Sequence, residues 1–400
     1  MKNTLTSAVV WLVATMFVIY AFCLNTAASV FQETIQSALH ANNIEVSIAM
    51  GAFIVGFACM QIPAGYLLDK FNARYVVSAG VLLLAVGNFL TSFSNNLILF
   101  SFSNLIQGIG GSFAFIAAAV LISQWFPSKM FPILFGLTQT LSCILAGILH
   151  YIMADKLSVL SWHTIYQYLG VAGIFLFFLT LTFVKSPANR SLSGSISLKN
   201  SLENVFRNKQ ILLCALSAAT SFGILLAYAG FWYMSVQKSY QVVTSQAYII
   251  SSLIFAGIGI GTPLWGLLSN WLHSRTMIIH VTLVLGTMML LAGIYLPHFE
   301  MDSLLVTKIL SFLIGFLLAG SMLFFTIVSE IASDDIRGVA LSVTNTGVFL
   351  LNALMMFIPY IFITKSSKMF FTYLWILPFC LMISILVLYF IKDTYRASSL

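Results

Sequence analysis

The sequence alternates between long apolar runs and short polar connections along its whole length. Each run is about twenty residues long, the length that an α-helix needs to cross the hydrocarbon core of a bilayer. The runs are continuous, whereas the strands of a membrane barrel alternate between apolar and polar residues. We therefore predict twelve membrane-spanning helices, at residues 8–30, 46–68, 75–94, 97–123, 133–154, 162–184, 211–235, 245–268, 276–296, 303–328, 338–363 and 369–391.

The composition supports a polytopic membrane protein. Hydrophobic residues make up 60% of the chain and charged residues only 7%, whereas about a quarter of an ordinary globular domain is charged. Eleven acidic and eighteen basic side chains cannot cover the surface of a soluble chain of 400 residues. Soluble enzymes, nucleic-acid binders and secreted scaffolds are thereby excluded. The five cysteines all lie inside apolar runs without paired spacing, so we expect neither disulfides nor a metal site, and no cofactor.

Charge and connection length predict how the chain is organised. If the N-terminus is inside, thirteen of the eighteen basic residues fall on the cytoplasmic side, and the positive-inside rule then places both termini in the cytoplasm. The longest connection, residues 185–210, contains apolar residues at helical spacing, which predicts a short amphipathic helix. We interpret this connection as a cytoplasmic tether between two six-helix bundles, residues 1–184 and 211–400.

The two predicted bundles are related by an internal repeat. Three positions, at the end of the second span and in the connection after it, are matched 201 residues later by the pairs Gly65/Gly266, Asp69/Asn270 and Arg74/Arg275. A second match, 206 residues apart, pairs Thr-Gln-Thr at 138–140 with Thr-Asn-Thr at 344–346. Parallel halves related by an axis along the membrane normal are typical of carriers that work by alternating access.

Two segments of the chain carry recognisable motifs. The segment from Gly65 to Arg74, with Asn72 and Ala73 as departures, is similar to G-x-x-x-D-[RK]-x-G-[RK]-[RK], the hallmark loop of the major facilitator superfamily. Residues 107–110 resemble the Q-G-x-G motif, and Trp-Phe-Pro follows at 125–127. The resemblance implies an all-α fold of two six-helix halves and a monomeric carrier. Gln-Ile-Pro-Ala-Gly at residues 61–65 is also similar to bacterial metabolite carriers, including the phagosomal nutrient transporters.

The resemblance further implies a cytoplasmic gate. In the family the acid of the loop lies against the start of the eleventh helix, which here begins near Gly338. Asn270 cannot carry that charge, so we expect the gate to be asymmetric between the halves. Surface charges at a positive-inside boundary are the alternative interpretation. The gating candidates are Gly65, Asp69, Lys70, Arg74, Gly266, Asn270, Arg275, Glu330 and Arg337.

Polar side chains within the apolar spans are candidates for solute binding. A buried hydroxyl or amide needs a partner inside a membrane, so such residues should face protein or water. Hydrogen bonding between helices explains each of them equally well. The candidates are Tyr20, Asn104, Gln107, Gln139, Tyr228, Trp232, Tyr248 and Asn345.

The spans lack charge at their centres. No Asp, Glu, Lys or Arg lies in the central portion of any predicted span, although such residues commonly mark ion and proton pathways. We therefore expect a neutral or zwitterionic solute. Proton coupling would need groups nearer the outer end, and facilitated diffusion is the alternative. The coupling candidates are Glu33, Glu45, His150, Asp155 and Lys308, the last of which also fits a side chain that snorkels to the outer surface.

These features predict a multi-pass transporter of the bacterial inner membrane. We expect uptake of a small polar nutrient, such as an amino acid or a nucleoside, with the solute, the bilayer and, in the coupled case, protons as partners. The alternatives are export of drugs or siderophore-like amphipathic compounds, and siderophore import. The proline-containing antiporter signature of the fifth span is missing, because residues 136–147 contain no proline.

Overall fold

The computed structural model describes residues 4–157, 159–187, 197–296, 303–362 and 371–395, and all regular structure within them is helical. The first helices are α1 (Thr4–Val30), α2 (Gln32–Ala38), α3 (Asn43–Lys70), α4 (Ala73–Ser92), α5 (Leu97–Trp125), α6 (Phe131–Lys156), α7 (Trp162–Phe183) and α8 (Leu198–Arg207). The later ones are α9 (Lys209–Ala218), α10 (Ile224–Ala227), α11 (Tyr233–Ser239), α12 (Thr244–Trp271), α13 (Arg275–Tyr295), α14 (Leu304–Leu318), α15 (Leu323–Ile331), α16 (Arg337–Phe362) and α17 (Ile376–Leu388).

Twelve helical stretches among the described residues are long and apolar enough to cross a membrane. This confirms the predicted number of spans, and most boundaries agree within three residues. The last predicted span begins at residue 369, which lies outside the described residues. In the connection between the halves, α8 buries Val205 and exposes Phe206 and Lys199.

The chain forms two compact units. Unit one comprises Met1–Pro127, Leu141–Glu203 and Asp334–Ser342, and unit two comprises Ser128–Thr140, Asn204–Ser333 and Val343–Leu400. Each unit therefore contains a short segment that belongs, by sequence, to the other set of six spans. These two segments are the beginnings of α16 and α6, which are equivalent helices in the repeat.

In each unit, an equivalent pair of helices approaches to backbone distance at a glycine. In unit one, a Cβ added at Gly108 of α5 would lie 2.8 Å from the carbonyl carbon of Phe53 in α3. In unit two, a Cβ at Gly315 of α14 would lie 2.8 Å from the carbonyl carbon of Ile254 in α12. Small residues allow membrane helices to approach this closely. The same interlock on equivalent helices supports the internal repeat.

The Gly108 interlock leads to a stability prediction. Gly108→Ala should destabilise the protein by about 1–3 kcal/mol, because the methyl group overpacks a contact between two backbones. The measurement is the midpoint of thermal unfolding in detergent, followed by tryptophan fluorescence. Gly147→Ala is the matched control, since nothing lies within 4 Å of a Cβ at that position. Equal midpoints for the two variants would contradict the interlock.

The core of unit one is aromatic at the end where α1 finishes and α5 and α7 begin. Phe31, Phe100, Trp162 and Tyr166 are almost completely buried there. The Phe31 and Tyr166 ring centroids lie 5.5 Å apart, and the Phe100 and Trp162 centroids lie 6.3 Å apart. These contacts fix the ends of three membrane helices relative to one another.

The seventh span departs from regular α-helix. Two π-helical segments, Ala219–Gly223 and Tyr228–Trp232, interrupt the stretch from α9 to α11. The predicted span over 211–235 is present, and the π segments lie within it. A close contact accompanies the first π segment, because a Cβ at Gly223 would lie 2.8 Å from the carbonyl oxygen of Val348. Short π segments within α-helices are frequent at functional sites.

Candidate functional site

A carboxylate caps a membrane helix in unit one. Asp69, at the end of α3, accepts hydrogen bonds from the backbone N–H of Gly338 (2.8 Å) and of Val339 (2.9 Å), at the start of α16. The first N–H groups of a helix have no partner within the helix, and the helix dipole favours negative charge there. Asp69 is buried, so these charge-assisted bonds replace its hydration.

Two glycines allow this contact. A Cβ at Gly65, one turn before Asp69, would collide with the carbonyl oxygen of Gly338 and lie 2.7 Å from its carbonyl carbon. In return, a Cβ at Gly338 would lie 2.5 Å from the carbonyl oxygen of Gly65. Any larger side chain at either position would move the α16 amides away from Asp69. We call Gly65, Asp69, Gly338 and Val339 the first cluster.

The other charged gating candidates of unit one also have partners. Lys70 is exposed, and its ammonium donates to the hydroxyl of Tyr66. Arg74 donates through Nε to the carbonyl of Val184 over 3.2 Å. Arg337 forms an ion pair with Asp334 at 2.5 Å, and the Asp334 side chain is 81% exposed. These contacts stabilise the turn after α3 and the start of α16.

A buried ion pair lies at the equivalent turn of unit two. Arg275, at the start of α13, donates through Nη2 to Glu330 of α15 at 3.0 Å. Its Nη1 donates to the Ser269 hydroxyl and to the Asn270 amide oxygen, both at 2.6 Å. The side chains of Arg275 and Glu330 are 1% and 8% exposed. The structure thus places Glu330 with Arg275, in what we call the second cluster: Ser269, Asn270, Arg275 and Glu330.

The absence of an acid at position 270, which is equivalent to Asp69, has a physical explanation. Counting 206 residues back from Gly338 gives Pro132, and proline has no N–H to donate. An aspartate at 270 would therefore lack one of the two amides that Asp69 receives. Asn270 instead donates from Nδ2 to the Lys129 carbonyl at 2.7 Å. Gly266 keeps its packing role, since a Cβ there would lie 2.9 Å from the Pro132 carbonyl.

The binding candidates of unit one are held by internal hydrogen bonds. The Tyr20 hydroxyl donates to the Leu169 carbonyl and accepts from the Asn88 amide, both at 2.7 Å. Asn104 donates to the carbonyl of Phe100 in its own helix. Gln107 donates to the hydroxyl of Thr91 at 2.7 Å. These contacts favour the interpretation that Tyr20 and Gln107 join helices, whereas Asn104 bonds within its own helix.

The candidates of unit two are also buried. The Trp232 indole donates to the carbonyl of Met355 at 2.8 Å, and the ring of Tyr228 meets that of Tyr233 edge to face. Gln139 and Asn345 are 6% and 2% exposed. The Tyr248 side chain lies outside the described residues. Gln139 and Asn345, which the repeat makes equivalent, remain predicted solute contacts.

Of the proton-coupling candidates, three have local partners. Glu45 accepts from the backbone N–H of Asn42 in a capping box, and Asp155 pairs with Lys156 at the surface. One ring nitrogen of the partly buried His150 lies 3.3 Å from the Cys23 carbonyl. Glu33 is exposed in α2, and Lys308 is partly buried in the second turn of α14.

One acidic residue near the second cluster was missed from the sequence. Asp393 follows α17, and its carboxylate accepts from the hydroxyls of Ser274 and Thr276 and from the backbone N–H of Arg275 and Tyr395. Burial alone would raise the pKa of this carboxyl, but the hydrogen bonds outweigh it and hold the pKa below its usual value. No motif contains Asp393, so only its position after the last span could have suggested a role.

Comparison with known proteins assigns the family. Residues 13–356 match the family model described as Major Facilitator Superfamily. The chain belongs to the major facilitator superfamily. Two solved structures share the fold. The proton:xylose symporter XylE has a TM-score of 0.74 and 15% identity, and the match covers 98% of this chain and 97% of that one. The Escherichia coli fucose:proton symporter FucP has a TM-score of 0.70 and 16% identity, and the match covers 98% of this chain and 99% of that one.

Curated members of the superfamily match over shorter stretches. An uncharacterised transporter of Bacillus subtilis is 29% identical over 101 residues, 25% of this chain and 23% of that protein. A probable L-galactonate transporter of Escherichia coli is 24% identical over 38% of this chain and 33% of its own length. A multidrug efflux pump of Staphylococcus aureus is 31% identical over 25% of this chain and 21% of its own length. Each match covers less than half of the relative, and together the names include both sugar-acid carriers and drug pumps.

Proposed function

We propose that this transporter takes up a small neutral or zwitterionic polar solute across the bacterial inner membrane by alternating access. The observation that carries the proposal is the absence of Asp, Glu, Lys and Arg from the central portion of every span. Among the described residues, the buried charged side chains include Asp69 and Arg275, and both lie at helix ends. A strongly anionic or cationic solute would meet no fixed countercharge at mid-membrane, where an uncompensated charge is costly.

The two clusters are proposed to form the gate. In the first cluster, the end of α3 holds the start of α16, and in the second, Asn270 at the end of α12 holds Lys129, just before α6. Both contacts join helices from different sets of six spans. Alternating access requires the two sets to separate at one end of the molecule, so both contacts would form in one state of the cycle and break in the other.

The solute class is tested first by ligand-dependent stability. The purified protein is heated in detergent with neutral amino acids, nucleosides, sugars, sugar acids such as galactonate, or lipophilic cations. A ligand present at 100 times its Kd stabilises the folded carrier by about 2.7 kcal/mol. Stabilisation by a neutral or zwitterionic compound supports the proposal. Stabilisation only by sugar acids or only by lipophilic cations would overturn it in favour of an organic-anion carrier or a drug exporter.

Direction and coupling need a second measurement. The stabilising compound is loaded outside proteoliposomes, and its uptake is followed with and without a pH gradient. Accumulation driven by an inward proton gradient would indicate symport, as in the proton symporters XylE and FucP. His150 is then the first residue to test, by His150→Gln. Uptake that stops at equal concentrations and ignores the gradient would indicate facilitated diffusion.

The proposed gate predicts a transport defect for Asp69→Asn. The amide keeps one acceptor oxygen but turns an NH2 group towards a backbone N–H of α16, and it loses the charge that the helix dipole favours. We expect about a tenfold lower transport rate, equivalent to about 1.4 kcal/mol, with normal membrane insertion. The measurement is uptake per inserted protein in proteoliposomes. Asp334→Asn, at an exposed carboxylate close by, is the control, and equal rates for the two variants would exclude the gate role of Asp69.

A further inference from the structure

Three consecutive residues after the last span contact the second cluster. Asp393, Thr394 and Tyr395, here called the C-terminal segment, follow the end of α17 at Leu388. The Thr394 hydroxyl donates to Glu330, on the carboxylate oxygen that Arg275 does not use. Thr394 thereby satisfies the second oxygen of a buried carboxylate. The C-terminal segment therefore takes part directly in the buried ion pair.

Asp393 fixes the backbone that carries Arg275. Its carboxylate accepts from the N–H of Arg275 (3.3 Å) and of Thr276 (3.1 Å), and from the Thr276 hydroxyl (2.8 Å). These N–H groups belong to the first turn of α13, where they have no partner within the helix. A carboxylate from another part of the chain thus orients the residue whose guanidinium holds Glu330.

Tyr395 connects the ion pair to the beginning of α6. Its ring is buried, with the guanidinium carbon of Arg275 5.0 Å from the centroid and the ammonium of Lys129 5.8 Å from it. Cations at these distances are attracted to an aromatic face, with energies of about 0.5–2 kcal/mol. Lys129 also supplies the carbonyl that Asn270 binds. The Tyr395 ring therefore touches both Arg275, in the second cluster, and Lys129, just before α6. These are the two parts of the chain that the proposed gate has to separate.

We infer that Asp393, Thr394 and Tyr395 are positioning residues of the transport cycle, which stabilise the state in which residues 128–140 pack on α12 and α15. They act through Arg275 and Lys129 and need no contact with the solute. The inference rests on the proposed gate, in which this packing opens and closes. It adds that the C-terminal segment sets how often the packing opens.

The test measures opening without a transported solute. The five native cysteines are replaced by alanine, and a single cysteine is introduced by Thr262→Cys. Thr262 is 3% exposed and hydrogen-bonds to the Gly136 carbonyl, between α12 and residues 128–140. A water-soluble maleimide reacts with it in detergent only when this packing opens. Ser78→Cys, in unit one at 2% exposure, reports general unfolding in a parallel sample.

In this background we expect Tyr395→Leu and Asp393→Asn to raise the alkylation rate at position 262 about fivefold and to leave the rate at position 78 unchanged. Tyr395→Phe keeps the ring and should behave as the unmodified chain. Tyr389→Leu, at a ring that is 71% exposed, controls for the loss of any aromatic residue after α17. Lys129→Met should raise the rate at 262 by itself and remove most of the effect of Tyr395→Leu.

Either of two results would overturn the inference: an equal rise at positions 262 and 78, which indicates a merely structural role, or no rise at position 262. The outcome is separable from that of the proposed solute class, because no solute is present in the assay. A failed ligand screen with a positive alkylation result would remove only the solute class.

Discussion

Gly65→Ala is expected to reduce transport to a few per cent of the unmodified rate while the protein still inserts and folds. The added methyl group would lie 2.7 Å from the carbonyl carbon of Gly338 and would collide with the Gly338 oxygen and the Ser342 hydroxyl. The Ser342 side chain can rotate, but the backbone of α16 has to move away. Overpacking of this kind costs about 1–3 kcal/mol. This cost falls only on the state of the transport cycle in which α3 and α16 touch. The equilibrium therefore shifts towards the state in which they are apart.

The repeat supplies matched controls for this variant. Gly266→Ala is the equivalent change in unit two, where the nearest atoms are at 2.9 Å in Pro132, so a smaller loss of transport is expected. Gly51→Ala lies in the same helix as Gly65 with nothing within 4 Å of its Cβ, and it should transport normally. The measurement is the initial rate of uptake per folded protein in proteoliposomes. A Gly65→Ala rate equal to that of Gly51→Ala would show that α3 and α16 need not approach this closely during transport.

The architecture was accessible from the sequence because each span carries its own signal. A run of about twenty apolar residues is sufficient to identify a membrane helix, so the twelve spans followed from local pattern alone. The repeat of Gly65 at Gly266 and of Arg74 at Arg275 then indicated related halves. The hallmark loop pointed to the start of α16 only through the family resemblance, since nothing in the spacing of Asp69 identifies Gly338 as its partner.

The partners of polar side chains could not be predicted in the same way. Tyr20 and Gln107 each find a hydrogen-bond partner on another helix, and which helix lies beside them depends on tertiary packing. Glu330 was a gating candidate with no partner assigned from the sequence, and its partner is Arg275, because α15 ends beside the start of α13. The first π segment of the seventh span likewise ends at Gly223, which packs against Val348 of α16, a contact that has no local pattern.

The two equivalent loops differ at two positions that depend on each other: Asp69 corresponds to Asn270, and its partner Gly338 corresponds to Pro132. Asp69 needs two free amides, and Gly338 and Val339 supply them. The equivalent helix, α6, has Pro132 at the position of Gly338, and Asn270 donates to a carbonyl instead of accepting from amides. The buried charge of unit two is then carried by Arg275 and Glu330. The asymmetry expected from the sequence thus has its cause in a proline at the start of α6.

Arg275→Met is expected to be the most destabilising single change in unit two. Removing one partner of a buried ion pair leaves the other charge without compensation, at a cost of about 3–5 kcal/mol. Here the uncompensated group would be Glu330, whose side chain is 8% exposed. Arg275 also binds Ser269 and Asn270, so the end of α12 would lose its link to α13. The measurement is the thermal unfolding midpoint in detergent, together with the yield of protein inserted in membranes.

The double variant Arg275→Met with Glu330→Met separates charge from packing. Apolar residues of similar volume often replace a buried ion pair without loss of stability, so the second substitution should recover much of what the first one lost. Arg74→Met is the matched control in unit one, because Arg74 is only partly buried and donates to a single carbonyl, that of Val184. We expect it to cost about 1 kcal/mol. If the double variant were as unstable as Arg275→Met, the loss would come from the contacts to Ser269 and Asn270, and the ion pair would contribute little to the second cluster.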